Sequence, residues 1–413
     1  MEYLFTERAH LMCPNMCFGM MAEVSAEFDK EKIKAAFSKM SEAHPFLRAL
    51  LGYEKEGNRY FYDIKDESRI ALFIKDEELD ENEDETVLGE YRKLTGRDFD
   101  LFEEGMLKAS VWKKGNNTCF LLIFHHLLTD GRGALGLTKE LAEHYKNGTP
   151  FKASAERLIT SETDFIKENK LSFISDMLVK RANKTWVKEG NKPVSYQEYH
   201  EYADRFVKEN PVSFSIKRIG MEELQQTVND CHENSITVND ILLSKMMIEE
   251  KTGKIIIAND LREKCKEYTD GALGNYSTAF SVVIKNLKED EISLAKDIHK
   301  KVKEITERPK DLYLVLLCYA ALEPALLDAA FMAAKGAHES KAAEFIGTKF
   351  FAFDSPSGYS ITNLGKIESD SIKSAYFIPP ASPAMKKTKG VLTVNKEMTI
   401  CVSEYKFFRR KSL

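Results

Sequence analysis

The chain has 413 residues, of which 43% are hydrophobic and 30% charged, a composition typical of a globular protein with a substantial core. Lys and Arg number 60 against 65 Asp and Glu, and the resulting net charge of −5 argues against a nucleic-acid-binding protein, which needs a concentrated basic face. The 21 glycines, 11 prolines and seven cysteines exclude the collagen-like, disordered and disulfide-scaffold classes.

The cysteines indicate a reducing compartment. They are odd in number and irregularly spaced, and residues 1–8 lack the basic and apolar run of a secretory signal, so a cytoplasmic location is expected. Cys13 and Cys17 have no second Cys or His pair at zinc-ligand spacing. They are interpreted as buried thiols, and no metal site is expected.

The first half of the chain alternates helix and strand patterns. Residues 29–43 carry apolar side chains at helical spacing and predict an amphipathic helix, followed by strands at 46–51 and 59–62. Eight of the ten residues in 76–85 are acidic, which favours a solvated loop over an interaction patch.

A hairpin is predicted next, with strands at 106–112 and 118–124 joined by turn residues. Residues 119–124 are continuously apolar, as in a central strand buried on both faces. A helix over 133–145 follows and ends at Asn147-Gly148, and the weakly patterned residues 148–175 are the candidate linker.

The second half mixes the same elements. Helices are predicted over 221–231, from Thr237 onward and over 291–307. The apolar run 312–322 is too short to span a bilayer and predicts a buried helix. The predicted strands are 212–219, 254–258, 276–284, 349–353, 358–362, 376–377, 390–394 and 398–402. We therefore expect a two-layer α+β fold with two units, residues 1–165 and 166–413.

The strongest chemical signal is His125-His126-Leu-Leu-Thr-Asp130-Gly131, placed where a buried strand gives way to a loop and a helix. A rigid strand can aim an imidazole into a cleft, where the neutral ring takes a proton from an alcohol, amine or thiol. Asp130 could orient the ring or brace the loop, and Gly131 would allow a sharp turn. The alternative is that both histidines merely satisfy hydrogen bonds at a strand end.

Residues 125–131 resemble the HHxxxDG signature of the chloramphenicol acetyltransferase-like superfamily. Its members include nonribosomal peptide condensation domains, BAHD acyltransferases, alcohol acetyltransferases and mycobacterial polyketide-associated acyltransferases. The plant-type BAHD motif Asp-Phe-Gly-Trp-Gly is missing from the sequence. Further segments resemble family motifs in the family's order: 44–48, 99–101, 259–262, 273–276, 362–365 and 390–395.

The resemblance implies two acetyltransferase-like subdomains with an active-site tunnel between them. It also implies that His126 is the general base, that Asp130 is structural and that Arg262 is its ionic partner. His125 is expected to be packed and hydrogen-bonded. The Gly131 amide is a candidate oxyanion donor. Four polar side chains are further candidates for oxyanion or substrate contacts, with ordinary strand contacts as the alternative: Ser277, Thr278, Thr362 and Asn363.

Three functions are weighed on this basis. The first is a freestanding acyltransferase that moves an acyl group from acyl-coenzyme A to a hydroxyl or amine of a small, apolar acceptor, with no permanently bound cofactor. The second takes the acyl group as a phosphopantetheine thioester on an acyl carrier protein. The third is a non-catalytic binding member of the fold. Lys386, Lys387 and Lys389 are candidates for the coenzyme A phosphates, with a solvated lysine loop as the alternative.

Overall fold

The described part of the chain, residues 2–80 and 82–405 of a computed structural model, contains three β-sheets flanked by helices. The strands are β1 (Cys17–Val24), β2 (Ala49–Glu54), β3 (Arg59–Ile64), β4 (Ala71–Glu78), β5 (Leu107–Lys114), β6 (Asn117–His125), β7 (Val212–Ile219), β8 (Lys254–Asp260), β9 (Ser277–Val283), β10 (Gly358–Ile367), β11 (Ile372–Ile378), β12 (Met385–Val394) and β13 (Glu397–Tyr405).

The helices cover the sheets. They are α1 (Arg8–Leu11), α2 (Lys30–Ala43), α3 (Glu83–Thr95), α4 (Gly131–Asn147), α5 (Asp164–Lys167), α6 (Phe173–Lys188), α7 (Tyr196–Glu209), α8 (Met221–Asn234), α9 (Val238–Glu249), α10 (Glu291–Thr306), α11 (Pro309–Leu312), α12 (Leu314–Ala321), α13 (Pro324–Ala334) and α14 (Lys341–Phe345). Short 3-10 turns lie at Pro45–Arg48 and Arg262–Lys264, and a π-helical turn lies at Ile346–Phe350. The predicted mixed α and β fold is confirmed.

The first sheet has the strand order β11-β1-β6-β5-β4. Strand β6 lies at its centre and is buried along residues 118–125, because an apolar run without alternation must be covered on both faces. Strand β1 was not predicted. All eight of its residues are buried, so it also lacks the alternation that marks a half-exposed strand.

The second sheet has the order β7-β13-β12-β10-β8-β9, with β10 parallel to both β8 and β12. Strand β11 leaves this part of the chain and pairs antiparallel with β1 in the first sheet. The second half of the chain therefore completes the sheet of the first half. The division into units at residue 165 stays a prediction.

The strand predicted at 46–51 begins only at Ala49, because the 3-10 turn Pro45–Arg48 occupies its first residues, and two further local predictions are wrong. Residues 349–353 form no strand, since the π-helical turn occupies Ile346–Phe350 and the aromatic side chains there made a helical turn resemble a strand. The acidic block 76–85 is also not simply a loop. Strand β4 extends to Glu78 and helix α3 begins at Glu83, with acids in its first turn that favour the helix N-terminus.

The apolar run 312–322 forms α12 and its flanks. Among the described residues, each helix taken singly is too short or too polar to cross a bilayer. Helices α12 and α13 pass that test only as a pair, and they are bent by 107° relative to each other.

Candidate active site

His126 lies directly after β6, at the wall of a cavity of about 430 Å³. The strand pairing sets its position, because Cys17 faces His125 across the β1–β6 ladder and the His126 amide donates to the Met16 carbonyl at 2.8 Å. The side chain is partly exposed, with protein on most sides. The imidazole is thus held on rigid backbone and reachable from the cavity.

Asn275 fixes which nitrogen of His126 is basic. Its side-chain Nδ2 donates to the His126 carbonyl at 2.8 Å, so its Oδ1 faces the ring at 2.8 Å from Nδ1. A carboxamide oxygen only accepts, so Nδ1 carries the proton and Nε2 of the neutral ring is the free base. The carboxylate of Glu7, which is fully buried, accepts from the Asn275 backbone N–H at 3.2 Å and from its Nδ2 at 3.4 Å, and so holds Asn275 in turn.

A second imidazole lies against the first. The rings of His10 and His126 stack with centroids 4.1 Å apart, and Phe18 meets His126 edge-on at 5.2 Å. Burial lowers the pKa of His126, partly offset by the nearby Asp130 charge, and burial together with the neighbouring histidines lowers the pKa of His10 well below its usual value. Both rings are therefore neutral at pH 7.

His10 is held in place through Arg8, which lies in the same short helix α1. Arg8 forms a two-point ion pair with Asp328 on α13, at 2.9 Å from Nε and 2.6 Å from Nη2, and both side chains are buried. This pair ties α1 to α13 across most of the sequence. The short helix that carries His10 is consequently anchored beside the end of β6.

Asp130 braces the loop rather than the ring. It is the N-cap of α4 and accepts from the Arg132 and Gly133 amides, and it pairs with Arg262 at 2.8 and 3.1 Å. The Tyr276 amide donates to its second oxygen at 2.9 Å. Burial opposes ionisation, but Arg262 and these amides lower the pKa of Asp130 overall. The carboxylate therefore joins the two halves of the chain beside the cavity.

Gly131 is needed for space and not for a turn. It is the first residue of α4 with ordinary backbone angles, and a Cβ there would lie 2.8 Å from a methyl group of Leu364. The expected sharp turn is therefore wrong. Within the described part of the chain, the Gly131 amide makes no hydrogen bond, because the Asp130 side chain accepts from the amides of Arg132 and Gly133 instead. That amide lies at the cavity wall.

The four candidate polar contacts divide into two groups. Ser277, Thr362 and Asn363 line the cavity, and Leu364 of β10 lines it as well. Thr278 points to the other face of β9 and donates to the Leu312 carbonyl at 3.3 Å. Adjacent strand residues face opposite sides, so the prediction that Ser277 and Thr278 both reach the site is wrong.

His125 is buried and packed, as the resemblance implied. Its Nδ1 accepts from the Leu127 amide at 3.2 Å, and its ring lies against Phe99. Burial and the adjacent His126 lower its pKa to about 3.

The three lysines lie on β12, not on a loop, and away from the cavity lining. Lys387 pairs with Glu250, and Lys389 pairs with Glu249 at 2.6 Å. Lys386 reaches the Tyr359 hydroxyl at 3.3 Å. Because two of the three charges are neutralised by acids at the end of α9, the predicted phosphate-binding cluster is not formed.

A second cavity, of about 550 Å³, begins on the far side of the histidine pair. It is mostly apolar and is lined by His10 and Met16, by α12 and by aromatic side chains after α14. Both cavities lie along one face of β8 and β9. Ala258 and Ser277 line the polar cavity, and Ile256 and Ala279 line the apolar one, although Ala258 and Ala279 are direct cross-strand partners. The boundary between the cavities falls at this alanine pair.

The sequence alone did not identify His10, Glu7 or Asn275 as site residues. Asn275 had a signal, since it belongs to the 273–276 motif, whereas His10 is a lone histidine in a segment without a clear pattern. No group of three His, Cys, Asp or Glu side chains that could hold a metal ion occurs in residues 2–80 and 82–405.

Comparison with known proteins agrees with this architecture. The family model of the Condensation domain matches residues 16–258, more than half of the chain. Bacitracin synthase 3 of Bacillus licheniformis is 25% identical over 231 residues, which are 54% of this chain but only 4% of the length of that protein.

Solved structures show the same fold at low identity. The condensation domain of Monacolin K polyketide synthase MokA is 10% identical with a TM-score of 0.59, covering 98% of this chain and 91% of that one. Polyketide synthase associated protein 5 from Mycobacterium tuberculosis is 14% identical with a TM-score of 0.56, covering 98% and 93%.

Proposed function

Because the chain belongs to the Condensation domain family, we propose that it transfers an acyl group from a pantetheine thioester to a hydroxyl or amine, with His126 as general base. One observation carries this proposal: the neutral imidazole of His126, with Nε2 as its free base, lines the polar cavity and stacks on His10, which lines the apolar cavity. The apolar cavity suits a small, apolar acceptor, because its lining side chains would replace the water around such a molecule.

In the proposed step, the acceptor hydroxyl or amine gives its proton to Nε2 of His126 as its oxygen or nitrogen attacks the thioester carbonyl. The tetrahedral intermediate then collapses, the carbon–sulfur bond breaks, and the same proton passes to the leaving sulfur. The products are an ester or amide and a free thiol, so atoms and charge balance without a metal ion. Positioned proton transfer of this kind contributes about 100- to 10,000-fold to a rate.

The Gly131 amide is the proposed donor to the oxyanion. It lies at the wall of the cavity beside His126, at the N-terminus of α4, where the helix dipole favours developing negative charge. A donor of this kind is worth about 3–4 kcal/mol in the transition state. Asp130 and Asn275 are positioning residues in this scheme, since Asp130 holds the loop and Asn275 holds the ring.

Coenzyme A is our preferred source of the thioester, and an acyl carrier protein is the alternative. Both present the same pantetheine arm, so the catalytic geometry serves either. The neutralised lysines of β12 do not support binding of the coenzyme A phosphates there. Arg132 is an exposed cation at the wall of the polar cavity and is the residue we propose for phosphate contact.

The test presents the purified protein with octanoyl-coenzyme A or with octanoyl-loaded carrier protein, each with a mixture of alcohols and amines, and detects products by mass. Acylated product from octanoyl-coenzyme A is the expected result. Product from the carrier-bound thioester only would replace the preferred donor by the alternative. Calorimetric binding of octanoyl-coenzyme A without product in either arm would leave a binding protein and reject the enzymatic proposal.

A further inference from the structure

Helix α6 (Phe173–Lys188) presents an outer face that its own protein does not cover. Its inner face is buried through Val179, Ala182 and Trp186. On the outer face, Phe173 and Ile174 are 82% and 65% exposed, the highest values among large apolar side chains in the described part of the chain. Isolated apolar residues at a surface are ordinary, but a cluster of this exposure on one helix marks an interaction site.

The outer face has two halves of different chemistry. Phe173, Ile174 and Met177 occupy the first two turns, and four cations follow on the same face at helical spacing: Lys180, Arg181, Lys184 and Lys188. Lys180 pairs with Asp176 at 2.7 Å. Within residues 2–80 and 82–405, the other three cations have no carboxylate partner.

We propose that the outer face of α6 docks the protein on an anionic lipid bilayer. Apolar side chains that project from a convex helix can enter the boundary between headgroups and acyl chains, while the cations beside them meet lipid phosphates. A second copy of the chain is a poor occupant, because a symmetric contact would place the same three unpaired cations against each other. A partner protein with an acidic groove is the alternative, and the experiment distinguishes it from a bilayer.

The position of α6 connects this surface to the apolar cavity. Asn183 on α6 donates to the Ala321 carbonyl at 2.8 Å and accepts from the Glu323 amide at 3.1 Å, so α6 is joined to the end of α12. Leu314, Val315 and Tyr319 of α12 line the apolar cavity. Docking would therefore bring the cavity wall to the lipid boundary. The acceptor would then be a molecule dissolved in the membrane, and this inference rests on the proposed function.

The experiment is vesicle co-sedimentation of the full chain at low salt, with phosphatidylcholine alone or an equimolar mixture with phosphatidylglycerol. We expect binding only to the mixed vesicles, weakened by added salt, because exposed charges are screened. The triple variant R181Q/K184Q/K188Q should lower the partition coefficient about 100-fold, given the attraction of each cation to an anionic surface. The variant F173S/I174S/M177S should lower it by at least about tenfold.

Matched controls carry the same changes elsewhere. K39Q/K285Q/K300Q removes three exposed lysines from other elements, and M221S/V283S removes exposed apolar residues, so neither should alter binding. Thermal unfolding checks that each variant is folded.

Three results would overturn the proposal. The first is equal binding to both vesicle types, and the second is an equal loss of binding in the control variants. The third is that the protein binds no vesicles, while the α6 variants lose binding to an acidic carrier protein. The assay measures no turnover, so an inactive protein that still binds vesicles would reject the proposed function and leave the docking surface intact.

Discussion

The two cavities beside the histidine pair differ in how they are built. The polar cavity is formed mostly where strands begin or end. His126 follows β6, Asp260 ends β8 and Ser277 begins β9, and Thr362 within β10 completes the wall. The apolar cavity is formed by the sides of elements, chiefly α12 and the aromatic residues that follow α14. Chemistry that needs fixed polar groups thus lies at strand ends, while the recognition of apolar groups is spread over packed side chains.

The same face of β8 and β9 forms part of both cavities, so the transition between them is abrupt. Along β9, Ser277 belongs to the polar cavity and Ala279, only two residues further, to the apolar one. The imidazoles of His10 and His126 stand at this transition, one bordering each cavity. We therefore expect changes on the two sides to affect different quantities.

Removal of the His126 imidazole should have the largest effect on the transfer rate. We expect His126→Ala to lower the transfer rate by about 100- to 10,000-fold, because the acceptor proton loses its base. The measurement is single-turnover product formation, with thermal unfolding as a check on folding. His232→Ala, at an exposed histidine at the end of α8, is the matched control and should be unchanged. A His126→Ala rate above about a tenth of the original would reject the base assignment.

On the polar side, Arg262→Ala should destabilise the protein by about 3–5 kcal/mol, because it leaves the Asp130 carboxylate buried without its partner. Denaturant unfolding measures the change. Arg218→Ala is the comparison, since Arg218 pairs with Asp84 on a more exposed surface, where an ion pair contributes about 0–1 kcal/mol. Similar losses in the two variants would show that the Asp130 pair is not a special brace.

On the apolar side, Ala279→Leu should discriminate between acceptors. The larger side chain reduces the apolar cavity, so kcat/KM for bulky acceptors should fall by about 10- to 100-fold while small acceptors are hardly affected. Val283→Leu, at the exposed end of the same strand, is the control. An equal loss for small and bulky acceptors would show that the apolar cavity does not hold the acceptor.

The smallest effect expected is on the pH dependence. The neutral form of His126 is the active one, and burial lowers its pKa, so activity should persist below the ordinary histidine value and fall only as pH drops through the lowered pKa. At pH 5.5 an unperturbed histidine with a pKa of about 6.5 would already lose about tenfold, and this protein should lose less. Asn275→Ala removes the side chain whose hydrogen bond raises the pKa of His126, so the pH at which activity falls should move lower. A profile that falls at the ordinary value would contradict the site geometry.

The polar cavity was largely predictable from sequence. For the apolar one, the apolar segments that contain Met16 and Leu314 indicated either a hydrophobic pocket or core packing, and both residues line the cavity. His126 and Arg262 lie in short motifs at strand ends, so their order along the chain indicated a shared site. The wall of the apolar cavity near residue 350 has no motif, and its aromatic run resembled a strand. Long-range partners were also hidden, since nothing in the pattern around Lys387 indicates that its charge is neutralised by Glu250.

The burial of β1 explains why it was missed and why His10 was missed with it. A strand covered on both faces has no alternation, and the Met- and Phe-rich residues from Leu11 to Met21 could equally line a hydrophobic pocket or pack in the core. The stacking of His10 on His126 depends on the Arg8–Asp328 pair, whose members are 320 residues apart. Contacts of that range follow from the assembled fold and not from local spacing.

The placement of β11 in the first sheet has a consequence for synthesis of the chain. Until residues 372–378 leave the ribosome, β1 is an open edge with an unpaired row of backbone groups, on a strand that is apolar apart from Glu23. Such an edge invites pairing with other nascent chains. Until almost the last tenth of the polypeptide has been made, this edge therefore remains open to such pairing.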